Sequence, residues 1–448
     1  MAEYDVTNFN VICRYQNLPI RWTGDVIVAG GGPGGLGAAI AAHRSGAKTI
    51  LIEKNGFLGG MMSYGCGMPL GGAYPGMKSI GGIAEELLSL VRNAGQDAAD
   101  VRHIPLFGDW YFHDSEFFKS LIAEFVLKEK MEVLLHSFVS DVIMDSKRRV
   151  KGIVIDSKSG REVLIGKTIV DATGDADICT RAGAHYEVGD EHGDLMGVTI
   201  PYILADVDTE KYLKYIAEDK DFSKLRAKAK ADGIFTNEDD KFGSHHLGQR
   251  PNTVFVNSVR VRNINGTKVE ELTFGELESR VRMLQHLNFF RKYVPGFEKC
   301  YIASSGAEIG VRDSRRIIGE DYLTQEDCLE VRKQPDKTIL RCQGPFDDIS
   351  RGKRTDVSFN QVDVNDYYDI PYGVLVPKDL DNVIVSGRTF SSNPRAQAGS
   401  RGQGLLLGMG QAAGTAAVMA AREGAAFKDI NIKALQKQLV EAGCDLGI

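Results

Sequence analysis

Residues 25–54 read DVIVAGGGPGGLGAAIAAHRSGAKTILIEK. Their first part, 25–29, is a β-branched apolar run, which predicts a buried strand. The glycine-rich turn at 30–35 ends that strand, and the small residues at 36–45 predict a closely packed helix. A second apolar run at 49–52 predicts the next strand. The stretch therefore predicts a βαβ unit.

The spacing of the glycines indicates that this unit binds a nucleotide. Gly30 permits a tight turn, Gly32 lets the backbone approach a pyrophosphate, and Gly35 lets helix and strand pack closely. Glu53 ends the second strand, at the distance expected for an acid that accepts hydrogen bonds from a ribose. The glycines alone are a weak signal, since the chain has 50 of them. With the acid and both strands they predict a dinucleotide site that fits FAD or NAD, the alternative being a structural turn.

Further elements follow along the chain. Helical spacing is found at 83–92 and 117–130. Residues 150–155 and 162–165 are typical of a hairpin, and 167–174 of a separate strand that runs into a glycine turn. From 195 to 301 the pattern changes to mixed strands and polar helices. One of these helices, Phe274 to Tyr293, carries apolar side chains at helical spacing, as an amphipathic helix does: Leu277, Val281, Leu284 and Leu287.

Three later runs add to the first: IVDATGDAD at 169–177, GVRDSRRIIGEDYLT at 310–324 and VIVSGRTFSSNPRAQAGSRGQGLLLGMGQAAGTAA at 383–417. Together the four resemble the FAD-dependent oxidoreductases of the glutathione-reductase-like superfamily, in the group related to fumarate reductase and succinate dehydrogenase flavoproteins. The likeness spans residues 25–424. It implies an α/β fold with a Rossmann-like FAD-binding domain, an inserted α+β substrate or cap domain, and FAD as cofactor.

The predicted domain boundaries combine this resemblance with the change of pattern. They are a leader at 1–24, the first part of the FAD-binding domain at 25–194, the inserted domain at 195–301, and the second part with the C-terminal helices at 302–448.

The resemblance also implies which residues bind FAD. Glu53 and Lys54 are expected at the adenosine, Val139 at the adenine, and the N-terminus of the last long helix at the flavin pyrimidine edge. Arg388 stands where many relatives have Asp, so it is expected to face either the pyrophosphate or solvent. The remaining implied positions are Gly59, Gly60, Met61, Ala172, Thr173, Gly174, Gly387, Gly402, Gln403 and Gly404.

Candidates for substrate chemistry come from polar side chains. His245 and His246 place two imidazoles together, as catalysts or as ordinary loop residues. Arg312, with Arg315 and Arg316, is expected to meet an anion or to belong to a structural salt-bridge network. Arg395 is expected on the substrate side of the flavin or in a loop that only positions FAD. Cys66 is a candidate flavin neighbour, but no second cysteine supports disulfide chemistry.

Composition limits the other partners. The chain carries 54 Lys and Arg against 60 Asp and Glu, a formal net charge of −6, so nucleic acid is not expected as a partner. Seven cysteines without CxxC spacing predict reduced thiols and no metal centre. No secretory signal is visible, which favours a cytoplasmic location.

The apolar stretch 404–421 is interpreted as an interior helix rather than a membrane span, since Gly and Ala dominate it.

These observations predict an FAD-dependent oxidoreductase that transfers hydride between flavin N5 and a small organic substrate. Without a second glycine fingerprint, no NAD(P)H domain is expected, and the electron acceptor stays open. The alternatives are a non-catalytic or electron-transfer flavoprotein subunit and, less favoured, a flavin-dependent RNA modification enzyme. A homo-oligomer is a candidate state because the resembling folds often pair.

Overall fold

The computed structural model describes residues 17–72, 74–95, 98–104, 108–145, 148–234, 245–344, 346, 362–363 and 365–448, and the backbone of 3–6 and 11–14. Its strands, in chain order, are β1 (Glu3–Val6), β2 (Val11–Arg14), β3 (Ile20–Ala29), β4 (Thr49–Ile52), β5 (Ala99–Ile104), β6 (Gly108–His113), β7 (Glu132–Leu134), β8 (Phe138–Met144), β9 (Val150–Ser157), β10 (Gly160–Asp171), β11 (Tyr186–Val188), β12 (Val198–Ala205), β13 (His245–Leu247), β14 (Val254–Val261), β15 (Tyr301–Ser305), β16 (Arg315–Ile317), β17 (Thr338–Cys342), β18 (Tyr368–Pro371) and β19 (Val383–Val385).

The α-helices, again in chain order, are α1 (Pro33–Arg44), α2 (Met61–Tyr64), α3 (Gly82–Asn93), α4 (Ser115–Glu129), α5 (Asp177–Arg181), α6 (Thr209–Ile216), α7 (Ser223–Ala231), α8 (Val269–Tyr293), α9 (Gln325–Leu329), α10 (Pro394–Ser400), α11 (Gln403–Glu423) and α12 (Ile432–Glu441). Short 3-10 turns lie at Pro75–Met77, Tyr372–Leu375 and Phe427–Asp429. The predicted helices at 36–45, 83–92 and 117–130 are confirmed as α1, α3 and α4.

A parallel sheet carries the N-terminal half of the fold. Strands β7, β4, β3 and β10 lie side by side in that order, and β19 pairs in parallel with the end of β10. Because the strands are parallel, their carboxyl ends meet at one edge, where ligands bind in such sheets. The predicted α/β fold with a Rossmann-like sheet is confirmed.

The region 150–171 differs from its prediction. The hairpin is present, but its second strand and the strand expected from residue 167 are one element, β10. The first half of β10 pairs antiparallel with β9, and its end pairs in parallel with β19. One long strand changes partners because β9 covers only the beginning of its edge. Similarly, β3 begins at Ile20, inside the predicted leader.

Helix α11 crosses the core beside α1. A Cβ at Gly410 would lie 2.1 Å from the carbonyl oxygen of Gly34, and a Cβ at Gly414 would lie 2.2 Å from that of Ala38. Only glycine permits such an approach, which explains the Gly/Ala composition. By length and composition α11 is also apolar enough to cross a membrane, and its apolar window is wholly buried inside the structure.

A second core lies under the antiparallel sheet β13-β14-β12-β15. Helix α8 packs on it through Phe289 and Phe290, which are fully buried. An amphipathic helix normally turns its apolar stripe to the core. Here Leu277, Val281 and Leu284 face solvent instead, because glycine, serine and histidine share the buried face with the two phenylalanines. The division of the chain into domains stays a prediction.

Candidate active site

A cavity of about 1360 Å³ opens at the carboxyl edge of the parallel sheet. It is lined by the residues that directly follow the strands: Gly30 after β3, Glu53 after β4, Ala172 after β10 and Ser386 after β19. The cavity continues to the second sheet, where Asn257 and other side chains line it. One space therefore connects the glycine turn with the second core.

The glycine turn is shaped as its spacing predicts. Gly30 has φ +102°, and a Cβ there would lie 2.1 Å from the carbonyl oxygen of Ala172. At Gly35 a Cβ would lie 1.7 Å from the oxygen of Gly30, so helix and strand touch through this glycine. A Cβ on Gly32 would meet no atom within 4 Å and would enter the cavity. The backbone thus leaves a cradle at the start of α1.

Helices α1 and α11 each present an uncapped N-terminus to the cavity. Helix α1 begins after Gly32 and helix α11 after Gly402, in each case without a side-chain cap or an acid in the first turn. Gly32, Gly402 and Gln403 line the cavity. The positive helix ends favour negative charge at both places.

Glu53 lies between the turn and the second strand. Its side chain is buried, and its two oxygens accept hydrogen bonds from the backbone N–H groups of Gly31, at 2.6 Å, and Asn55, at 2.8 Å. Burial raises the pKa of this carboxyl, while the two N–H groups act in the opposite direction. The carboxylate keeps further lone pairs that ribose hydroxyls would use.

Most of the other predicted cofactor residues also line the cavity: Lys54, Gly60, Met61, Val139, Thr173, Gly174, Gly387 and Arg388. For Arg388 two positions were predicted, one beside the pyrophosphate and one in solvent. The structure places its side chain in the cavity lining, where it donates a 2.6 Å hydrogen bond to Asp175. In the described chain, Gly59 and Gly404 stand behind the lining. Each donates its N–H to a neighbouring glycine carbonyl, that of Gly31 or Gly71.

The two histidines on β13 point in opposite directions, as neighbours on a strand do. His245 is buried away from the cavity, where Nδ1 lies 2.5 Å from the Tyr212 hydroxyl and Nε2 lies 2.8 Å from the Lys220 carbonyl. The structure therefore places His245 outside the candidate site, and its catalytic role stays a prediction. His246 lines the cavity, edge-on to Phe112. Burial, together with the nearby His245 and Arg102, lowers the pKa of His246 to about 4, so its imidazole is neutral at neutral pH.

Of the predicted arginines, some line the cavity and others lie outside it. Arg312 lines the cavity and donates to the Gly197 carbonyl. Arg315 lines it too, but it bonds Asp177. Arg316 is buried and bonds Asp313, which makes it part of a structural network. Arg395 is wrong as a substrate contact: helix α10 turns it to solvent, outside the cavity lining.

Sequence reasoning missed three arginines of the cavity, Arg181, Arg260 and Arg401. Arg401 lies in the SRGQG turn before α11. Its position next to the predicted flavin-binding helix end could have identified it. Arg260 lies on β14, in the region predicted to be an inserted domain, where no motif marks it. The thiol of Cys66 is buried outside the described lining, and burial raises its pKa to about 11, so it is not a nucleophile. Within the described residues, no cluster of His, Cys, Asp or Glu fits a metal ion.

The sequence matches the family described as FAD dependent oxidoreductase over residues 25–439. The chain belongs to this family. This FAD-dependent oxidoreductase therefore takes FAD as its cofactor, as predicted. The finer resemblance to the glutathione-reductase-like and fumarate reductase group stays a prediction.

Two curated relatives show the extent of the sequence likeness. Thiamine thiazole synthase of Aeropyrum pernix is 29% identical over 190 residues, which cover 40% of this chain and 65% of the synthase. Dihydrolipoyl dehydrogenase of Trypanosoma brucei brucei is 56% identical over 50 residues, 11% of this chain and 10% of that enzyme. This FAD-dependent oxidoreductase thus covers less than two thirds of either relative's length.

Solved structures give weaker similarities. A geranylgeranyl bacteriochlorophyll reductase-like protein from Thermoplasma acidophilum has a TM-score of 0.48 at 14% identity, covering 94% of this chain and 84% of that chain. For p-nitrophenol 4-monooxygenase from Pseudomonas putida the TM-score is 0.46 at 14% identity, with 91% and 82% covered. Similarities at this level say nothing about reaction or substrate.

The cavity fits FAD by its own features. The cradle at Gly32 is open where a pyrophosphate needs close backbone, and the buried Glu53 carboxylate suits a ribose. At the other helix end, the buried Gln403 Oε1 has no hydrogen-bond partner in the described structure, so it offers an acceptor beside the uncapped N-terminus of α11.

Proposed function

We propose that this FAD-dependent oxidoreductase transfers hydride between flavin N5 and a small anionic organic molecule bound in the same cavity. The observation that carries the proposal is the set of three guanidinium groups, on Arg260, Arg312 and Arg401, that line one cavity together with the glycine turn. Guanidinium groups bind carboxylates strongly and with defined orientation.

Glu53 and Lys54 would hold the adenosine half of FAD, and the start of α1 would hold the pyrophosphate. Gly402 and Gln403, at the start of α11, would hold the flavin pyrimidine edge, where the positive helix end stabilises negative charge. Bound FAD supplies two-electron hydride chemistry. The chain itself supplies position and charge.

The charge of the lining supports an anionic substrate. Eight Lys and Arg side chains line the cavity against five Asp and Glu, an excess that exceeds the two negative charges of a pyrophosphate. Within the lining, Lys54 pairs with Glu308, Arg315 with Asp177 and Arg388 with Asp175. Arg260, on β14, brings one of these cations to the part of the cavity beside the second sheet.

His246 would accept the proton that a substrate hydroxyl or amine gives up when its carbon loses hydride. Its low pKa keeps the imidazole neutral, and a neutral ring has one nitrogen able to take a proton. In the reverse reaction the same nitrogen would return it. The Phe112 ring packs edge-on against the imidazole and fixes its orientation.

The direct test is anaerobic reduction of the bound flavin, followed by its absorbance. Small carboxylic acids that carry a hydroxyl or amine are compared with their uncharged methyl esters and amides. We expect bleaching by a member of the acid series and not by its neutral analogues. Equal bleaching by acid and ester would contradict the anionic substrate.

Substitution then locates the anion. Arg260→Gln, Arg312→Gln and Arg401→Gln are each expected to raise KM for the active acid by roughly tenfold or more, since each removes a charge-assisted hydrogen bond. Arg395→Gln is the matched control, because this exposed arginine lies outside the lining. If the cavity variants behave like the control, the guanidinium groups do not bind substrate.

A further inference from the structure

Helix α8 exposes an apolar seam on its outer face. Phe274, Leu277, Val281 and Leu284 are between 51% and 64% exposed, and they follow one another at alternating steps of three and four residues. This is the a and d pattern of a helix that packs against another helix. A monomer usually leaves such large apolar side chains exposed singly, whereas here they form one stripe.

The seam is separate from the face that holds α8 in the fold. The buried residues of the helix occupy the opposite side, against the second core: Gly275, Ser279, Met283, His286, Phe289 and Phe290. The core is thus already satisfied, and turning the helix to bury the seam would expose two phenylalanines. Among the described residues, none covers the seam, which leaves it available to a partner.

Charges at the two ends of the seam identify that partner. Glu270 extends the seam at the beginning of the helix, and Arg291 extends it at the end, both at exposed positions of the same heptad pattern. A second α8 laid antiparallel brings each glutamate opposite the arginine of the other copy. A parallel pair would instead bring like charges together, which is unfavourable.

We propose that this face of α8 is the interface of a two-fold symmetric homodimer, with the two α8 helices antiparallel. In the register that pairs Glu270 with Arg291, Leu277 of one copy meets Leu284 of the other. The same register sets Phe274 against Leu287, which is half-buried in the monomer. Each contact occurs twice, as two-fold symmetry requires.

Polar positions of the helix agree with the same register. Thr273 and Asn288, both exposed, stand opposite each other across the proposed interface and can hydrogen-bond. The centre of the seam falls between Arg280 and Val281, so each Val281 lies next to the symmetry axis. Leu277, Val281 and Leu284 therefore form the middle of the interface, flanked by Arg280, which is paired with Glu276 of its own helix, and polar side chains lie at its ends.

The first test is the mass of the full-length holoenzyme in solution, measured by sedimentation equilibrium over a range of concentrations. We expect a dimer, and we expect L277K/L284K to raise the dimer dissociation constant by about 100-fold or more. Leu127→Lys is the matched control, because Leu127 is a highly exposed leucine on α4. A monomeric holoenzyme, or a dimer that L277K/L284K leaves intact, would overturn the proposal.

Charge reversal tests the antiparallel arrangement. Glu270→Lys and Arg291→Glu are each expected to weaken the dimer by about tenfold, and the double variant E270K/R291E is expected to restore it. Failure of the double variant to restore the dimer would exclude this register. A monomeric holoenzyme that floats with phosphatidylcholine vesicles would assign the seam to a lipid surface instead.

Discussion

The Glu53 carboxylate accepts a 2.6 Å hydrogen bond from the backbone N–H of Gly31. The contact joins the turn after β3 to the end of β4, so the acid that is proposed to hold the ribose also fixes the glycine turn. A second N–H, from Asn55, holds the other oxygen. Structure and cofactor binding therefore depend on the same carboxylate.

Glu53→Gln is expected to weaken FAD binding by at least about tenfold, since an amide removes the charge and directs a donor at one of the two N–H groups. It is also expected to lower the melting temperature of the apoprotein. The measurements are a flavin titration and a thermal melt. Glu191→Gln, at a strongly exposed position, is the control and should change neither. Unchanged flavin affinity in Glu53→Gln would contradict the ribose assignment.

Two glycines of the turn are expected to respond in different ways. Gly32→Ala places its methyl group in the open cradle at φ −68°, an ordinary backbone angle, so the apoprotein should keep its stability while FAD affinity falls by about tenfold or more. Gly35→Ala forces a methyl group against the Gly30 carbonyl and should cost about 2 kcal/mol or more of folding free energy. Thermal melts of the apoproteins with flavin titration separate the two effects.

If Gly32→Ala bound FAD as tightly as the native protein, the cradle would not be the pyrophosphate site. If Gly35→Ala were as stable as the native protein, the close packing of α1 on the sheet would not depend on this glycine.

The sequence predicts the cofactor half of the site better than the substrate half. The glycine turn and Glu53 are local features, since their geometry follows from a strand, a turn and a helix that are adjacent in the chain. The cavity side that faces the second sheet is built from distant segments. Arg260 on β14 and His246 on β13 both line it, and no local pattern specifies the pairing of these two strands.

Helix α8 also shows that a local sequence pattern predicts an element better than it predicts that element's tertiary contacts. Periodicity correctly predicts a helix, but it cannot say which of two faces is buried. The tertiary contacts decide this, since Met283, Phe289 and Phe290 pack into the second core, which is built from segments distant in the chain. The stripe at Leu277, Val281 and Leu284 is left outside for this reason.

Substitutions of the two histidines of β13 are expected to have different effects, one on catalysis and the other on stability. His246→Gln should lower kcat by about tenfold or more with FAD still bound, because the proposed proton acceptor is lost. His245→Gln should leave kcat unchanged but reduce stability by about 1–3 kcal/mol, because the buried Tyr212 hydroxyl loses its partner. Steady-state kinetics with denaturant unfolding distinguish the pair. Loss of turnover in His245→Gln alone would reverse the assignment.

Acid is expected to destabilise the protein through His246. Burial lowers its pKa from the ordinary 6.5 to about 4, so between these values the unfolded chain binds a proton that the native state does not. The free energy of unfolding therefore falls as pH falls from 6.5 towards 4, by on the order of 2 kcal/mol from this residue. His246→Leu should lose correspondingly less over the same interval, because the variant has no group to protonate there.

Denaturant unfolding at several pH values measures this difference, and the comparison with the native protein cancels the other titrating groups. His192→Gln, which removes an exposed imidazole, should follow the native curve. Parallel curves for His246→Leu and the native protein would show that the imidazole of His246 is hydrated in the native state. The pKa of His246 would then lie close to the ordinary 6.5, and burial would not account for its protonation state.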